Sequence, residues 1–222
     1  MSSFAVAHRR ASVAELVALG REEAPPGRLL SMAEVTDQAV VLGSTQPASD
    51  VDEEAAARRG LMVARRPSGG GAVLVRPGGQ VWADLFLPAG DPLLAHDLSA
   101  SFDWLGRAWA RALASLGVGD LLVASPGAAR HPLERKLCFL GQGAGEVMVA
   151  GRKVVGISQR RRREGAFFFS MLALEDASEL LVSCLRFEPD ERAEALAALG
   201  RTAGFLPLDA LQVEEALLAA LA

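Results

Sequence analysis

The sequence predicts an α+β fold, in which a sheet packs against helices. Short β-branched and apolar runs are concentrated in the first half of the chain, whereas helical patterns are interspersed and dominate its end. The clearest helix covers residues 99–116, where Phe102, Leu105 and Trp109 begin an apolar stripe at spacings of three and four, followed by Gly117. Strands and helices that do not alternate strictly favour α+β packing over a repeated βαβ unit.

The first half of the chain is predicted to alternate short strands with short helices. Apolar runs indicate strands, and Gly or Pro residues end the elements. In order, we expect a helix over 11–20 ending at Gly20, a Pro/Gly break at 24–27, a strand over 38–43, an exposed helix over 52–59 stopped by Gly60, strands over 61–65 and 71–75, and a strand over 80–87 ended by Pro88.

The second half adds a hairpin and a helical end. Two prolines, a glycine and several charges make 125–136 an irregular loop. The elements expected around it are a strand over 118–124, a hairpin over 146–159 turning at Ala150 and Gly151, a strand over 165–174, and helices near 176–184, 190–199 and 209–221.

Composition sets limits on the class of protein. With 222 residues, 50% of them hydrophobic, the chain can bury one core, so we expect residues 1–222 to form a single domain. With a net charge of −4, the chain lacks the overall positive charge typical of nucleic-acid-binding proteins. No apolar run is long enough to span a membrane. Without a secretory signal, and with only two cysteines, we expect a soluble cytoplasmic protein that has no disulfide scaffold. His96 and His131 are isolated, so no metal site is predicted.

A triple glycine follows two arginines and separates two predicted strands. Gly69, Gly70 and Gly71 are costly to order, which suits a place where backbone approaches another group and exposes N–H donors to an anion. Arg65 and Arg66 add bidentate donors for a carboxylate or phosphate. The alternative is a tight hairpin with exposed arginines. The spacing is neither a dinucleotide-binding fingerprint nor a P-loop.

Lys153 interrupts an apolar strand. With a period of two, it shares a face with Val155 and Ile157, where a lysine is rarely buried without a partner. A pocket that receives a phosphate or an acyl carbonyl explains this position. The alternative is an edge-strand lysine that blocks unwanted pairing.

The cysteines and an arginine run are the remaining candidate functional features. Cys138 precedes a glycine-rich stretch, where a nearby cation would make its thiol reactive, although a lone cysteine is more often a small core residue. Cys184 lies among leucines and is predicted to be core. The arginines at 160–163 form either a solvated loop or a docking site for an acidic partner.

Together these segments resemble the lipoate–protein ligase and octanoyltransferase family, which is related to the biotin ligases. The resemblance rests on VVLGSTQ at 40–46, RRPSGGGAV at 65–73, GRKVVGISQR at 151–160, the strand at 167–172 and the helix at 213–217. It implies a mixed, mostly antiparallel sheet flanked by helices, the biotin/lipoate ligase-like catalytic domain, without the accessory C-terminal domain of larger ligases. A biotin ligase is disfavoured, because that branch's Gly-Arg-rich loop is missing.

The resemblance assigns roles to individual residues. Lys153 matches the lysine that contacts the activated acyl group. Cys138 lies fifteen residues before Lys153 and eight before Glu146, a spacing similar to the octanoyltransferases, in which this cysteine carries a thioester. The implied substrate-binding residues are Arg66, Ser68, Gly69, Gly70, Gly71, Ala72, Gly156 and Ser158.

Three functions follow from the resemblance. An octanoyltransferase would use Cys138 and no cofactor, taking octanoate from acyl carrier protein. A ligase would use lipoate, ATP and Mg²⁺, with Lys153 and Arg66 against the phosphates. The acceptor in both is a lysine of a lipoyl-domain protein. The family usually has a His-Asp and a His-Gly pair where this chain has Val75-Arg76 and Phe169-Ser170. The third function is therefore a non-catalytic lipoate-binding module or a ligase subunit.

Overall fold

The computed structural model describes residues 3–21, 23–125 and 131–222. Residues 126–130 of the predicted irregular loop lie outside the described residues. The strands are β1 (Ala5–Ala11), β2 (Leu29–Val35), β3 (Ala39–Leu42), β4 (Met62–Arg65), β5 (Val73–Val75), β6 (Gln80–Pro88), β7 (Leu121–Val123), β8 (Val147–Val149), β9 (Arg152–Arg162) and β10 (Gly165–Ala173). The helices are α1 (Val13–Leu16), α2 (Glu53–Arg58), α3 (Asp103–Ser115), α4 (Ser178–Ser183), α5 (Pro189–Thr202) and α6 (Ala210–Leu221).

Among the described strands, seven form one sheet in the order β1-β2-β6-β10-β9-β8-β7, and three form a second sheet in the order β4-β3-β5. In the large sheet, β1 and β2 run parallel and the other neighbours are antiparallel. In the small sheet, β3 is parallel to β4 and antiparallel to β5. The predicted α+β class with a mixed, mostly antiparallel sheet is confirmed.

The two faces of the large sheet bury different partners. One face carries α3 and α6, and the predicted apolar stripe of α3 is buried there: Leu105, Trp109 and Leu113 are fully inaccessible. The other face meets α1 and the small sheet, whose Val41 and Val75 pack near the large sheet. Burial of apolar area, worth about 25 cal/mol per Å², holds these layers together and leaves a cleft between the sheets.

Several local predictions were wrong. The helix expected over 11–20 is only the four-residue α1, capped by Ser12 and Glu15, followed by a 3₁₀ turn at Leu19–Arg21. Strands β1 and β2 were not predicted. The hairpin alternative for the glycine loop is also wrong, because β3 lies between β4 and β5. No helix among the described residues is long and apolar enough to cross a bilayer.

Candidate active site

A cavity of about 1370 Å³ opens between the two sheets. Its walls come from the glycine loop, from the segment that carries Cys138, and from β9, β10 and β6. Most of the residues that the sequence singled out meet here, since Arg66, Gly70, Cys138, Lys153 and Ser158 all line it. Segments far apart in the chain therefore face one space.

Arg66 supports the glycine loop from inside the protein. Its guanidinium donates to the carbonyl of Val41 at 3.2 Å and to those of Gly69 and Gly71 at 2.7 and 2.9 Å. Burial lowers the pKa of Arg66, and the nearby Cys138 and Glu146 oppose that shift. Because these donors are used by backbone carbonyls, Arg66 holds the loop in shape.

The triple glycine passes close to the cysteine segment. Gly70 has a positive φ of 96°, and a Cβ there would lie 2.8 Å from the guanidinium of Arg66 and 4.0 Å from Cys138 Sγ. A Cβ on Gly71 would lie 2.5 Å from the backbone nitrogen of Leu137. Within the described part of the chain, the N–H groups of Gly70 and Gly71 make no hydrogen bond. They are donors that a substrate oxygen can use.

Ala72 positions Cys138 through the backbone. Its N–H donates to the carbonyl of Lys136 at 2.9 Å, and its carbonyl accepts from the N–H of Cys138 at 3.1 Å. Ala72 is fully buried and lies behind the cavity wall, so its contribution is to hold the cysteine segment against the loop. Cys138 itself is half-buried and begins a 3₁₀ turn, Cys138–Leu140.

A β-bulge decides where Lys153 points. The register between β8 and β9 shifts, so that Val147 lies opposite Val155 while Met148 lies opposite Lys153. The extra residue, Val154, changes the alternation of side chains along β9. Lys153 therefore reaches the cavity wall beside Gly156, whereas Val155 is buried in the core on the other face.

The predicted face of Lys153 is thus wrong, and so is the edge-strand alternative. A strict period of two puts Lys153 with Val155 and Ile157, but the bulge breaks that period. Strand β9 lies between β10 and β8, so its backbone is paired on both sides. Lys153 is an interior lysine with its own set of partners.

The ammonium of Lys153 is surrounded by acceptors. It donates to the carbonyls of Cys138 and Gly141 at 2.7 and 3.0 Å, and lies 2.8 Å from the carboxylate of Glu146. Its distance to Cys138 Sγ is 3.9 Å. An ammonium has three N–H donors, and these three oxygens use them. Lys153 is then a fixed positive charge beside the sulfur.

The charges of this cluster support one another. Burial on its own lowers the pKa of Lys153, but the negative charges of a Cys138 thiolate and of Glu146 outweigh burial and leave the pKa raised. Lys153 therefore stays protonated at neutral pH. A permanent cation beside Sγ stabilises the thiolate, which is the nucleophilic form of cysteine.

Two serines connect the glycine loop to β9. The hydroxyl oxygens of Ser68 and Ser158 lie 2.8 Å apart. Ser68 is buried and Ser158 lines the cavity. Gly156, two residues before Ser158, also lines the cavity and lies beside the side chains of Lys153 and Glu146. The hydrogen bond between the two serines ties the glycine loop to β9, the strand that carries Lys153.

The inner end of the cavity is apolar. Val75 and Phe169, the two positions at which the family resemblance implied histidines, both line it, together with Val41, Trp82 and Met171. These side chains come from both sheets and from neighbouring strands of the large sheet. They form a slot suited to a hydrocarbon chain.

Glu146 is the site residue that the sequence interpretation missed. It was noted only for its spacing and as the start of a hairpin, yet its carboxylate accepts from the N–H of Gly143 at 2.6 Å and pairs with Lys153. The signal available was a buried lysine that needed a counter-charge. Cys184 is fully buried in the core, as predicted.

The arginines at 160–163 do not form the expected loop. Arg160, Arg161 and Arg162 continue β9, and Arg161 donates to the carbonyls of Ala95 and His96. Arg163 is 95% exposed. They lie beyond the part of β9 that lines the cavity, and their interpretation as a docking site stays a prediction.

The residues predicted to hold ATP do not fit that role in this conformation. The guanidinium of Arg66 and the ammonium of Lys153 both donate to protein oxygens. Among the described residues, no three His, Cys, Asp or Glu side chains form a metal-binding group.

Comparison with known proteins agrees with this geometry. Residues 12–221 match the family described as the lipoyl protein ligase A/B catalytic domain. The chain belongs to this family. Relatives within it include the octanoyltransferase LipM of Kyrpidia tusciae, 29% identical over 92% of this chain and 77% of that protein. Another is the octanoyltransferase LipM of an Exiguobacterium species, 28% identical over 83% of this chain and 66% of that protein.

Solved structures show the same fold. A lipoate-protein ligase A bound with ATP superimposes with a TM-score of 0.73 at 18% identity, covering 99% of this chain and 84% of that one. A putative lipoate protein ligase from T. acidophilum with bound lipoic acid has the same TM-score at 19% identity and the same coverage. The bi-partite ligase studied with its E2 lipoyl domain from Thermoplasma acidophilum gives 0.72 at 18% identity, over 97% and 82% of the two chains.

Proposed function

We propose that this chain transfers an octanoyl or lipoyl group to a lysine of a lipoyl-domain protein, through a thioester on Cys138. The observation that carries the proposal is the position of Cys138 Sγ, in the cavity wall and 3.9 Å from the buried ammonium of Lys153. The family and the two octanoyltransferase relatives support acyl transfer. The contacts of Lys153 favour the thioester route over ATP-dependent activation.

In the first step, the Cys138 thiolate attacks the carbonyl carbon of an octanoyl thioester on a carrier protein. A bond forms from Sγ to that carbon, and the carrier's sulfur leaves as a thiolate that takes a proton from solvent. Gly70 and Gly71 line the cavity, and their N–H groups donate to the oxyanion. Lys153 places a fixed positive charge 3.9 Å from Sγ, which favours this attack.

In the second step, the amine of the acceptor lysine attacks the thioester carbonyl. The new C–N bond completes the amide, the bond to Sγ breaks, and the proton lost by the amine passes to solvent, which regenerates the Cys138 thiolate. The apolar slot between the sheets holds the acyl chain in both steps, so that its carbonyl stays near Sγ.

The test combines the protein with an apo lipoyl domain and either octanoyl carrier protein or lipoate with ATP. Intact mass spectrometry reports the acylated domain and any acyl adduct on the enzyme. We expect an octanoyl adduct on Cys138, loss of transfer in Cys138→Ala, and retention of transfer in the control Cys184→Ala. A Cys138→Ala protein that keeps full ATP-dependent transfer supports the ligase function instead. Tight lipoate binding without product from either donor supports a binding module.

A further inference from the structure

A row of residues on neighbouring strands leads from the reacting groups to the inner end of the apolar slot. Gly156, beside Lys153, lies opposite Met171 in the neighbouring strand, and Met171 lies opposite Trp82 in the next strand. Two strand spacings separate Gly156 from Trp82, or ~10 Å. This row of cross-strand neighbours runs along the slot, from the reactive sulfur to the indole.

Trp82 closes that row. Its side chain belongs to the same apolar cluster as Val17, Val41 and Val75, which also contains the α1 side chains Val13 and Leu16. None of the described residues that line the cavity belongs to β1 or β2, the strands beyond β6. Over the large sheet the cavity therefore ends at β6, where Trp82 lines it together with Val17, the residue that follows α1.

A buried carboxyl group fixes the orientation of this indole. Trp82 Nε1 donates to Asp84 Oδ1 at 2.7 Å, and the two side chains lie two residues apart on one face of β6. Asp84 is only 3% exposed. A buried indole N–H without an acceptor costs about 1–3 kcal/mol, so this contact selects the rotamer in which the ring blocks the slot.

We propose that Trp82 is the end wall that limits acyl chain length, and that Asp84 is the positioning residue that holds it there. This inference rests on the proposed function and deepens it by assigning a medium-chain limit to one side chain. An acyl group anchored at Cys138 extends past Met171 and stops against the indole. Longer chains meet the apolar cluster that Trp82 shares with the side chains of α1.

The experiment measures chain-length preference. Thioesters with eight to fourteen carbons on the carrier protein compete for transfer to a lipoyl domain, and the product ratio is read by mass. In Trp82→Leu, we expect the ratio of twelve-carbon to eight-carbon product to rise by about tenfold or more, the range that removal of a steric block in an apolar pocket gives. Asp84→Leu should raise the ratio of twelve-carbon to eight-carbon product in the same way. Asp84→Asn keeps an acceptor for the indole N–H and should give the wild-type ratio.

Two controls keep the inference falsifiable. The first control is Trp109→Leu, on the opposite face of the sheet. Trp109 is also a buried tryptophan whose Nε1 donates to a side chain. Its substitution should leave the product ratio unchanged. Calorimetry with octanoate and dodecanoate tests the length limit without turnover. Wild-type protein that binds octanoate but transfers nothing overturns the proposed function alone. A folded Trp82→Leu protein that still prefers eight carbons, or wild-type protein that binds both acids equally or neither, overturns the inference.

Discussion

The carboxylate of Glu146 lies 2.8 Å from the ammonium of Lys153, and both side chains are almost inaccessible to solvent. A pair buried this deeply is costly to assemble, because both ions lose their hydration. The carbonyls of Cys138 and Gly141 compensate part of that loss. The cluster thus places one permanent positive charge beside the sulfur at the mouth of an apolar slot.

Neutralising Glu146 should destabilise the fold. Glu146→Gln preserves shape but leaves the ammonium of Lys153 without its counter-ion, and breaking a buried pair costs about 3–5 kcal/mol. Urea denaturation measures the free energy of unfolding. The exposed pair of Arg58 and Glu54 provides the control, since Glu54→Gln should cause no measurable change. Equal effects of the two substitutions would contradict a buried pair.

The charge of Lys153 should govern the reactivity of Cys138. In the double variant Lys153→Met with Glu146→Gln, the wall stays neutral overall but the cation beside Sγ is gone. Because alkylation by iodoacetamide follows the thiolate fraction, we expect its rate at neutral pH to fall by about tenfold or more. A Cys184→Ala background removes the other thiol from the measurement. An unchanged rate would mean that Lys153 does not stabilise the thiolate.

The sequence predicts most of this site, because its informative residues are local. Three glycines in a row and a lysine in an apolar strand are unusual in themselves, and their resemblance to a family joins them with Cys138. What could not be predicted is the bulge opposite Met148, since a register shift depends on pairing between strands. The partnership of Lys153 with Glu146 follows from that bulge.

Secondary structure, too, was predicted where it depends on local sequence and missed where it depends on pairing with distant strands. Helix α3 was predicted because its apolar stripe is strong, whereas β1 gave no signal. It carries His8, Arg9 and Arg10, its side chains are exposed or only half-buried, and backbone pairing with β2 holds it. An edge strand of this kind has no alternation of apolar residues to detect. The layered small sheet was missed for a similar reason, because β3 enters between two strands that are adjacent in sequence.

A side chain at position 70 should disturb the site more than one at position 69. Gly70→Ala places a Cβ 2.8 Å from the guanidinium of Arg66, at a positive φ that alanine adopts only with strain. A Cβ on Gly69 meets no atom within 4 Å. We expect Gly70→Ala to lower the transfer rate by about a hundredfold, the size of losing an oxyanion donor, and Gly69→Ala to cost far less. Similar losses in both variants would show that the loop tolerates neither change for some other reason.

The buried Asp84 should make stability depend on pH in an unusual direction. Burial raises the pKa of Asp84 from 3.8 to about 8, and this effect exceeds the opposing effects of the Trp82 hydrogen bond and the charge of Arg9. The folded protein then binds this proton more tightly than the unfolded chain does. Its stabilising contribution is complete below about pH 4 and declines as the pH rises towards 8.

Asp84→Asn isolates this effect, because asparagine does not titrate. Between pH 4 and pH 8, wild type should lose a few kcal/mol of unfolding free energy relative to Asp84→Asn. Above pH 8 the difference between the two proteins should stay constant. Urea titrations of both proteins across this range measure it. Glu54→Gln, on an exposed helix, controls for general effects of pH and should follow wild type. A difference that stays constant with pH would mean that Asp84 ionises normally in the folded protein.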